Sequence, residues 1–162
     1  MDFEIGFSEE LGVTDDELTE LLDSVYVNEG YTPRKLAKTI FAPSSVRARG
    51  TMLIARKSLA NDFAGMIIVV PASSSARVLA SKNECEMHLL GVKAEYRRFK
   101  LGRKLVEAAL AYSKQNDWTR MLLWTQKSMT KAQCLYISCG FKETGKMKKN
   151  EIEFLIYEKH FT

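Results

Sequence analysis

The sequence predicts a single α/β domain over residues 1–162, with a mixed, mostly antiparallel twisted β-sheet of about six to seven strands and about four flanking helices. Two hairpin patterns predict antiparallel strand pairs, and a strand, a helix and a strand in succession predict one parallel pair. The 162 residues are enough for one hydrophobic core, and fractions of 46% apolar and 27% charged residues are typical of globular domains. No repeat, linker or low-complexity tract indicates a domain boundary.

The first fifty residues predict one strand and two helices. Residues 2–7 (DFEIGF) alternate apolar and polar side chains, as a short strand does. Residues 14–17 (TDDE) have the spacing of a capping box, so we expect a helix to begin there and to end at Gly30. Pro33 fits the first turn of a second helix, which Pro43 is expected to stop.

The rest of the chain predicts an antiparallel hairpin followed by alternating strands and helices. Residues 51–56 and 64–70 flank a polar turn and form the hairpin pattern. The elements expected after it are strands at residues 84–92 and 119–124, helices at residues 101–116 and 129–139, and a last hairpin that returns along residues 152–159. The two strands on either side of the first of these helices are expected to lie parallel in one sheet.

A basic segment precedes the helix at residues 101–116. Six of the twelve residues 93–104 are Lys or Arg. Backbone N–H groups at a helix start have no internal partners and carry the positive end of the helix dipole, so this segment predicts an anion site. The expected ligand is a phosphate or pyrophosphate, and the phosphates of RNA or DNA are a second option.

Composition and spacing argue against several other classes of protein. The longest apolar run, residues 65–71 (GMIIVVP), is about a third of the length that a membrane-spanning helix needs. The acidic first residues do not resemble a signal peptide, so a cytoplasmic location and no membrane contact are expected. Cys85, Cys134 and Cys139 form an odd set without metal-site spacing, so neither a disulfide framework nor a metal site is expected.

Two segments carry a resemblance to a known family. Residues 86–105 (EMHLLGVKAEYRRFKLGRKL) and 135–141 (LYISCGF), in this order of elements, resemble the GNAT superfamily of acyl-CoA-dependent N-acyltransferases. The family signature Arg/Gln-x-x-Gly-x-Gly/Ala falls on residues 97–102 (RRFKLG), with Lys100 in place of the first glycine. The resemblance covers the chain well from about residue 50, and the earlier part by element order only.

The resemblance implies a cleft for acetyl-CoA. In the family the fourth and fifth strands splay apart, and the pantetheine arm pairs with strand backbone in the opening. The residues that the resemblance places at the cofactor are Leu90, Gly91, Val92, Arg97, Arg98, Phe99, Lys100, Leu101, Gly102, Arg103 and Thr125. Lys100 lacks the conformational freedom of glycine, so either the turn keeps its shape at some conformational cost or binding relies more on side-chain charge.

The resemblance also implies two catalytic residues. Glu86 matches a position where many members carry a glutamate base, and strict two-residue alternation puts it on one strand face with His88 and Leu90. A carboxylate near an apolar cleft is expected to have a raised pKa, which suits a base; Glu84 is the reserve candidate, and His88 is expected to be structural. Tyr136 stands where the family places a tyrosine whose hydroxyl meets the coenzyme A sulfur.

The expected function is therefore transfer of an acetyl group from acetyl-CoA to a primary amine in a ternary complex. The amine belongs to a small molecule or a peptide: a polyamine, an amino acid, an antibiotic and a protein amine all remain open. The first alternative is a non-catalytic acyl-CoA-binding sensor, and the second, less favoured, is a nucleic-acid-binding domain. Members of the family often form dimers, so a homodimer is an open option.

Overall fold

A seven-stranded mixed sheet forms the centre of the molecule in the computed structural model, which describes residues 2–161. Neighbouring strands are antiparallel except for β4 and β5, which run parallel. In the spatial order β1-β2-β3-β4-β5-β7-β6, the strands are β1 (Phe3–Phe7), β2 (Thr51–Lys57), β3 (Asp62–Pro71), β4 (Glu84–Val92), β5 (Arg120–Gln126), β6 (Lys142–Lys149) and β7 (Ile152–His160). The predicted fold class and both predicted hairpins are confirmed.

Helices cover both faces of this sheet. They are α1 (Ser8–Leu11), α2 (Asp15–Leu22), α3 (Arg34–Ile40), α4 (Pro43–Ala48), α5 (Leu101–Gln115) and α6 (Thr130–Ser138). A π-helical turn (Asp23–Val27) extends α2, and a 3-10 helix (Ala94–Phe99) precedes α5. Within residues 2–161, none of the helices combines the length and the apolar character that crossing a membrane requires.

The helices of the N-terminal region form partly as expected. The capping box of α2 is present, because the Thr14 hydroxyl accepts from the Glu17 N–H at 3.1 Å and the Glu17 carboxylate accepts from the Thr14 N–H at 2.9 Å. The second predicted helix does end before Pro43, at Ile40, but the sequence did not predict that another helix begins at this proline. Pro43 occupies the first turn of α4, where the N–H that proline lacks would have no partner in any case. The four residues of α1 are too few to show a hydrophobic period, and the sequence did not predict that helix.

The parallel pair β4–β5 opens after three residues. The register joins Glu84 to Arg120 and ends where Glu86 lies opposite Leu122. Beyond this point β4 continues to pair with β3, and β5 with β7. The two central strands therefore do not pair with each other beyond this point, which is the splayed arrangement that the family resemblance implies.

A bulge in β4 changes the face on which its later side chains lie. The register with β3 skips Leu89 and Leu90, and Leu89 adopts a left-handed φ of 53°. Met87 packs on the α5 side of the sheet before the bulge, and Leu90 packs on that side after it. Leu90 therefore does not share a face with Glu86 and His88. The strict alternation expected from the sequence is wrong here, because a bulge inserts one extra residue into the strand.

The two faces of the sheet bury two separate apolar clusters. The cluster under α5 includes Leu101, Leu105 and Ala109 from one face of that helix. The cluster on the opposite face receives Leu18, Leu21 and Leu22 from α2 and further side chains from α3 and α4. The opening between β4 and β5 lies between these two layers, so it is held by packed elements on both sides.

Candidate active site

Two clefts open where β4 and β5 separate. The first, here called the basic cleft, lies between the π-helical turn after α2, the end of β4, and the starts of α5 and α6. The second, here called the aromatic cleft, lies between α3, the middle of β4 and β5, and the β6–β7 turn. Both clefts are lined by Tyr26, Leu90, Met129 and Tyr136. A ligand in one cleft can therefore meet a ligand in the other at these four residues.

The start of α5 leaves backbone donors available at the basic cleft. Lys100 takes a left-handed conformation, φ 58° and ψ 27°, and α5 begins at the next residue. No side chain of the described residues caps this helix, so the first N–H groups after Lys100 have no protein partner of that kind. The sequence left open whether this turn keeps its shape with a lysine in the glycine position. The left-handed conformation of Lys100 shows that it does. The cost of a left-handed non-glycine residue is about 1–2 kcal/mol.

The basic side chains around this turn differ in their hydrogen-bond partners. Arg97 donates to the Val92 carbonyl at 3.1 Å and to the Glu29 carboxylate at 2.8 Å. Arg103 donates to the Ser138 hydroxyl at 2.5 Å, which ties α5 to α6. The Arg98 and Lys100 side chains are exposed and point to no carboxylate among residues 2–161. Of these four side chains, Arg97 lines the basic cleft, and the α5 start adds N–H groups of the kind that an anion can accept from.

The other residues expected at the cofactor fall into three groups. Gly91, Val92 and Gly102 line the basic cleft, and a Cβ atom at Gly102 would lie 3.3 Å from the Leu135 side chain. Phe99 and Leu101 pack into the core cluster under α5, so they can offer a ligand mainly backbone. Thr125 lines the aromatic cleft rather than the basic cleft.

The end of β4 is held by a tyrosine that the sequence did not single out. The Tyr26 hydroxyl donates to the Leu90 carbonyl at 3.0 Å. Burial raises the pKa of Tyr26, with the positive charge of Arg49 acting in the opposite direction. Because the bulge removes Leu89 and Leu90 from the ladder with β3, the backbone at this point is available to the clefts.

Tyr136 lies at the junction of the clefts. Its ring is 7% exposed and packs against Phe141 and Tyr157, with centroid separations of 6.1 and 6.3 Å. Burial raises the pKa of its hydroxyl, and the neighbouring Tyr26 and Cys139 act in the same direction. The hydroxyl therefore stays protonated, as a proton donor must.

Glu86 is enclosed by hydrogen bonds. The side chain is fully buried, and its Oε2 accepts from the backbone N–H groups of Val78, Leu79 and Ala80. Burial alone would raise the pKa of Glu86, but the hydrogen bonds from His88 and from the three backbone groups hold it below the usual range. The raised pKa expected from the sequence is wrong. Glu86 lines neither cleft, so its carboxylate has no direct contact with either space.

His88 connects Glu86 to the aromatic cleft, which it lines. Its Nδ1 lies 3.1 Å from Arg49 Nη1, and its Nε2 lies 2.8 Å from Glu86 Oε1. Because a guanidinium can only donate, Nδ1 must accept, and the imidazole proton must sit on Nε2 and be donated to Glu86. Burial lowers the pKa of His88, with Glu86 acting in the opposite direction, so the ring is neutral. The sequence expectation of a satisfied histidine agrees with these contacts, but it did not indicate a place in the cleft wall.

Glu84, the reserve candidate, is engaged elsewhere. Its carboxylate accepts from Arg120 at 2.6 Å and from the Ser81 N–H at 2.8 Å. Burial raises the pKa of Glu84, but Arg120 and the Ser81 N–H together lower it by more, so the pKa lies below its ordinary value. Like Glu86, it lines neither cleft.

Two cationic side chains line the aromatic cleft, and no sequence motif predicts their place there. Arg49 follows α4, and Lys149 ends β6 with its Nζ 5.6 Å from the centre of the Trp124 ring. Both line the cleft, although they are 100 residues apart in sequence. No group of three or more His, Cys, Asp or Glu side chains in the described part of the chain is arranged to bind a metal ion.

Comparisons with known proteins agree with this architecture. The sequence profile of the acetyltransferase (GNAT) family matches residues 15–141. A 59-residue segment is 42% identical to an uncharacterized N-acetyltransferase of Dictyostelium discoideum, and it covers 36% of this chain and 27% of that protein. The chain thus spans about a quarter of the length of this relative.

Solved structures match over nearly the whole chain. An acetyltransferase of the GNAT family from Staphylococcus aureus MU50 has a TM-score of 0.78 at 18% identity, covering 99% of this chain and 100% of that one. An acetyltransferase of Bacillus subtilis in complex with CoA has a TM-score of 0.71 at 16% identity, with the same coverage. At these identities the likeness establishes the fold.

Proposed function

Because the chain belongs to the acetyltransferase (GNAT) family, we propose that it transfers an acetyl group from acetyl-CoA to a primary amine. The observation that carries the proposal is the meeting of two clefts at Tyr26, Leu90 and Tyr136. One cleft has the donors that a pyrophosphate needs, and the other is enclosed enough to hold a small acceptor. A direct transfer requires such a junction, since both substrates must be bound together.

The basic cleft is the proposed site of coenzyme A. The α5 start and the side chains of Arg97, Arg98, Lys100 and Arg103 would hold the pyrophosphate. The edge of β4 at Leu90, Gly91 and Val92, which no longer pairs with β5, would hold the pantetheine arm in the way that an added strand pairs with a sheet edge. The carbonyls of Leu90 and Val92 already accept from Tyr26 and Arg97, so the arm would pair with the backbone groups that remain. The related fold of the Bacillus subtilis acetyltransferase in complex with CoA supports this assignment.

Two groups of this chain are assigned to the thioester and its leaving group. Acetyl-CoA supplies the thioester, and the backbone near Leu90 would polarise the acetyl carbonyl. The buried Tyr136 hydroxyl would donate a proton to the departing thiolate. Both groups stand at the junction of the two clefts.

The proton of the acceptor amine needs a different route from the one expected. Glu86 is sealed by three backbone N–H groups, so we assign its carboxylate to His88 instead of to the amine. If Arg49 releases Nδ1, His88 can accept a proton there while Glu86 stabilises the resulting imidazolium, as in the hydrogen-bonded pairs of acyl-transfer enzymes. Glu86 then acts as a positioning residue behind His88.

A coenzyme A release assay tests the proposal. The protein is incubated with acetyl-CoA and a panel of amines, thiol release is followed, and the products are analysed by mass spectrometry. We expect release that depends on the amine, with one acetyl group added to the nitrogen. Stabilisation of the protein by acetyl-CoA without release against any amine would instead support a non-catalytic sensor. Cytoplasmic location, a homodimer and the absence of nucleic-acid binding stay predictions.

A further inference from the structure

The aromatic cleft contains positive charge without a carboxylate in its wall. Its charged lining residues are Arg49 and Lys149, and no Asp or Glu of the described chain lines it. Neither cation forms a salt bridge with another residue in the range 2–161. Glu86 lies behind His88, and its oxygens are already occupied by His88 and backbone N–H groups.

Two hydrogen bonds hold the Arg49 guanidinium in place. Its guanidinium donates to the Ile40 carbonyl at 2.9 Å and to His88 Nδ1 at 3.1 Å, and both acceptors are uncharged. Burial lowers the pKa of Arg49, and both burial and the charge of Arg49 lower the pKa of Lys149. Two cations that repel each other in a partly buried space are unusual unless an anion joins them.

The rest of the cleft wall is mostly apolar, and its uncharged polar side chains are those of Thr32, His88, Thr125, Gln126 and Asn150. Its rings include Phe41, Trp124 and Phe154, and Leu36, Ile40 and Ile152 add aliphatic surface. The Trp124 ring contacts the His88 ring edge-on, with centroids 4.8 Å apart. A ligand that fills this space must therefore present apolar surface as well as negative charge.

We propose that the acceptor is a small primary amine that carries an anionic group beside an apolar side chain, with an apolar α-amino acid as the simplest example. Arg49 and Lys149 bind the carboxylate, and the aromatic and aliphatic wall holds the side chain. The amine then lies toward the junction at Tyr136. This inference rests on the proposed acetyl transfer and names the acceptor for it.

The same charges select against other amines. A polyamine or an aminoglycoside carries several positive charges, and the cleft has no carboxylate to receive them. A peptide N-terminus has its first carboxyl group converted to an amide, so it lacks the anion. Positive charge near the acceptor also lowers the pKa of its ammonium group, which favours the neutral amine that attacks the thioester.

The test compares acceptors that differ in one group. L-phenylalanine, L-phenylalaninamide, phenethylamine, spermidine and O-phosphoethanolamine are assayed with acetyl-CoA. We expect kcat/KM for L-phenylalanine to exceed that for its amide by about tenfold or more, since a charge-assisted contact is lost. O-phosphoethanolamine has the anion without the apolar group, so it is expected to be poorer than L-phenylalanine.

A variant with a matched control locates the effect. Lys149→Gln is expected to lower kcat/KM for L-phenylalanine by about tenfold, mainly through KM, with little change for the amide. Lys148→Gln removes the neighbouring lysine, which lines neither cleft, and is expected to leave both values unchanged. In a thermal-shift measurement, N-acetyl-L-phenylalanine is expected to stabilise the wild type more than its amide does, and Lys149→Gln is expected to remove the difference.

Each negative result would contradict a different part of the proposal. If the amide or spermidine is acetylated as well as L-phenylalanine, the proposed acceptor class is wrong while acetyl transfer stands. If N-acetyl-L-phenylalanine and its amide stabilise the protein equally, the anion site is wrong whatever the turnover. If no amine supports coenzyme A release, the proposed function itself fails.

Discussion

The carboxylate of Glu86 ends a line of hydrogen bonds that fixes the tautomer of His88. In Glu86→Gln, the new carbonyl can accept from the backbone groups of residues 78–80, but the amide then points a donor at His88 Nε2–H. If the imidazole changes tautomer, its Nδ1–H opposes Arg49 instead. One pair of donors is opposed in either case, so we expect the free energy of unfolding to fall by about 2–3 kcal/mol.

The matched control is Glu84→Gln on the same strand. A glutamine there can still accept from Arg120 with its one oxygen, and its amide then faces the Ser81 N–H at an exposed position, where water can bind both donors. We expect this change to cost about 1 kcal/mol or less. Chemical denaturation measures both changes. If Glu86→Gln and Glu84→Gln lower the free energy of unfolding equally, the hydrogen bonds that join Glu86, His88 and Arg49 have no special role in stability.

Tyr136→Phe tests the assignment of the proton donor. The structure gives the hydroxyl no hydrogen-bond partner among residues 2–161, so its removal is expected to change the free energy of unfolding by less than about 1 kcal/mol. We expect kcat to fall about 100-fold, with an unchanged affinity for coenzyme A. Tyr157→Phe, a buried tyrosine that lines neither cleft, is the control, and full turnover by Tyr136→Phe would remove the proposed role.

Lys100 separates the effect of charge from that of backbone shape. Because the turn is already left-handed, glycine is not needed to form it, and the lysine charge is the main contribution left to lose. We expect Lys100→Ala and Lys100→Gly to weaken coenzyme A binding equally, by about threefold to tenfold in a titration at low salt. Lys114→Ala at the far end of α5 is the control. Clearly tighter binding by the glycine variant than by the alanine variant would show that strain in the turn limits binding.

Strand β4 joins the two layers of the molecule through buried polar side chains. His88 reaches Arg49 after α4, and Glu86 reaches the segment of residues 78–80. These contacts fix the loop before β4 and the end of α4 to one strand. The same strand carries the bulge at Leu89, so one element sets both the wall of the aromatic cleft and the free backbone of the basic cleft.

The burial of His88 predicts a pH dependence of stability. Its folded pKa lies below the ordinary 6.5, so the unfolded chain binds more protons as the pH falls below about 6.5. Stability is therefore lost from that pH downward toward the folded pKa, with a slope of at most about 1.4 kcal/mol per pH unit. Glu86, with its lowered pKa, adds a further loss only below its ordinary 4.5.

Thermal unfolding between pH 7.5 and 5.5 measures this slope. His88→Gln lowers stability overall but is expected to flatten the slope, because glutamine does not titrate. His160 is the other histidine of the chain, and His160→Gln is expected to keep the wild-type slope, since the side chain of His160 is 68% exposed. A slope that persists in His88→Gln would contradict the assignment.

Taken over the whole molecule, the sequence predicts the features that local patterns encode. The capping box at Thr14, the apolar strands and the basic start of α5 each lie within a dozen residues, and each forms as expected. The residues of the aromatic cleft come from distant segments. Arg49 and Lys149 meet only because β4 and β5 separate, and no local pattern marks such a meeting.

The bulge shows a second limit of sequence reasoning. Leu89 has a left-handed φ although it is neither glycine nor asparagine, so nothing in its residue type marks the irregularity. The bulge shifts the facing of Leu90, and strict alternation then misplaces it. The pKa of Glu86 is missed for a related reason, because its three backbone donors come from a loop whose path the sequence does not specify.

A single-turnover experiment tests direct acetyl transfer at the junction of the two clefts. The protein, in excess over acetyl-CoA, is mixed with and without L-phenylalanine, and both coenzyme A and the acetylated product are measured over time. The predicted result is no release of coenzyme A without the amine and, with it, one N-acetyl product for each coenzyme A. Release of coenzyme A in the absence of amine, or tight binding of acetyl-CoA with no release when any amine is added, would contradict the account.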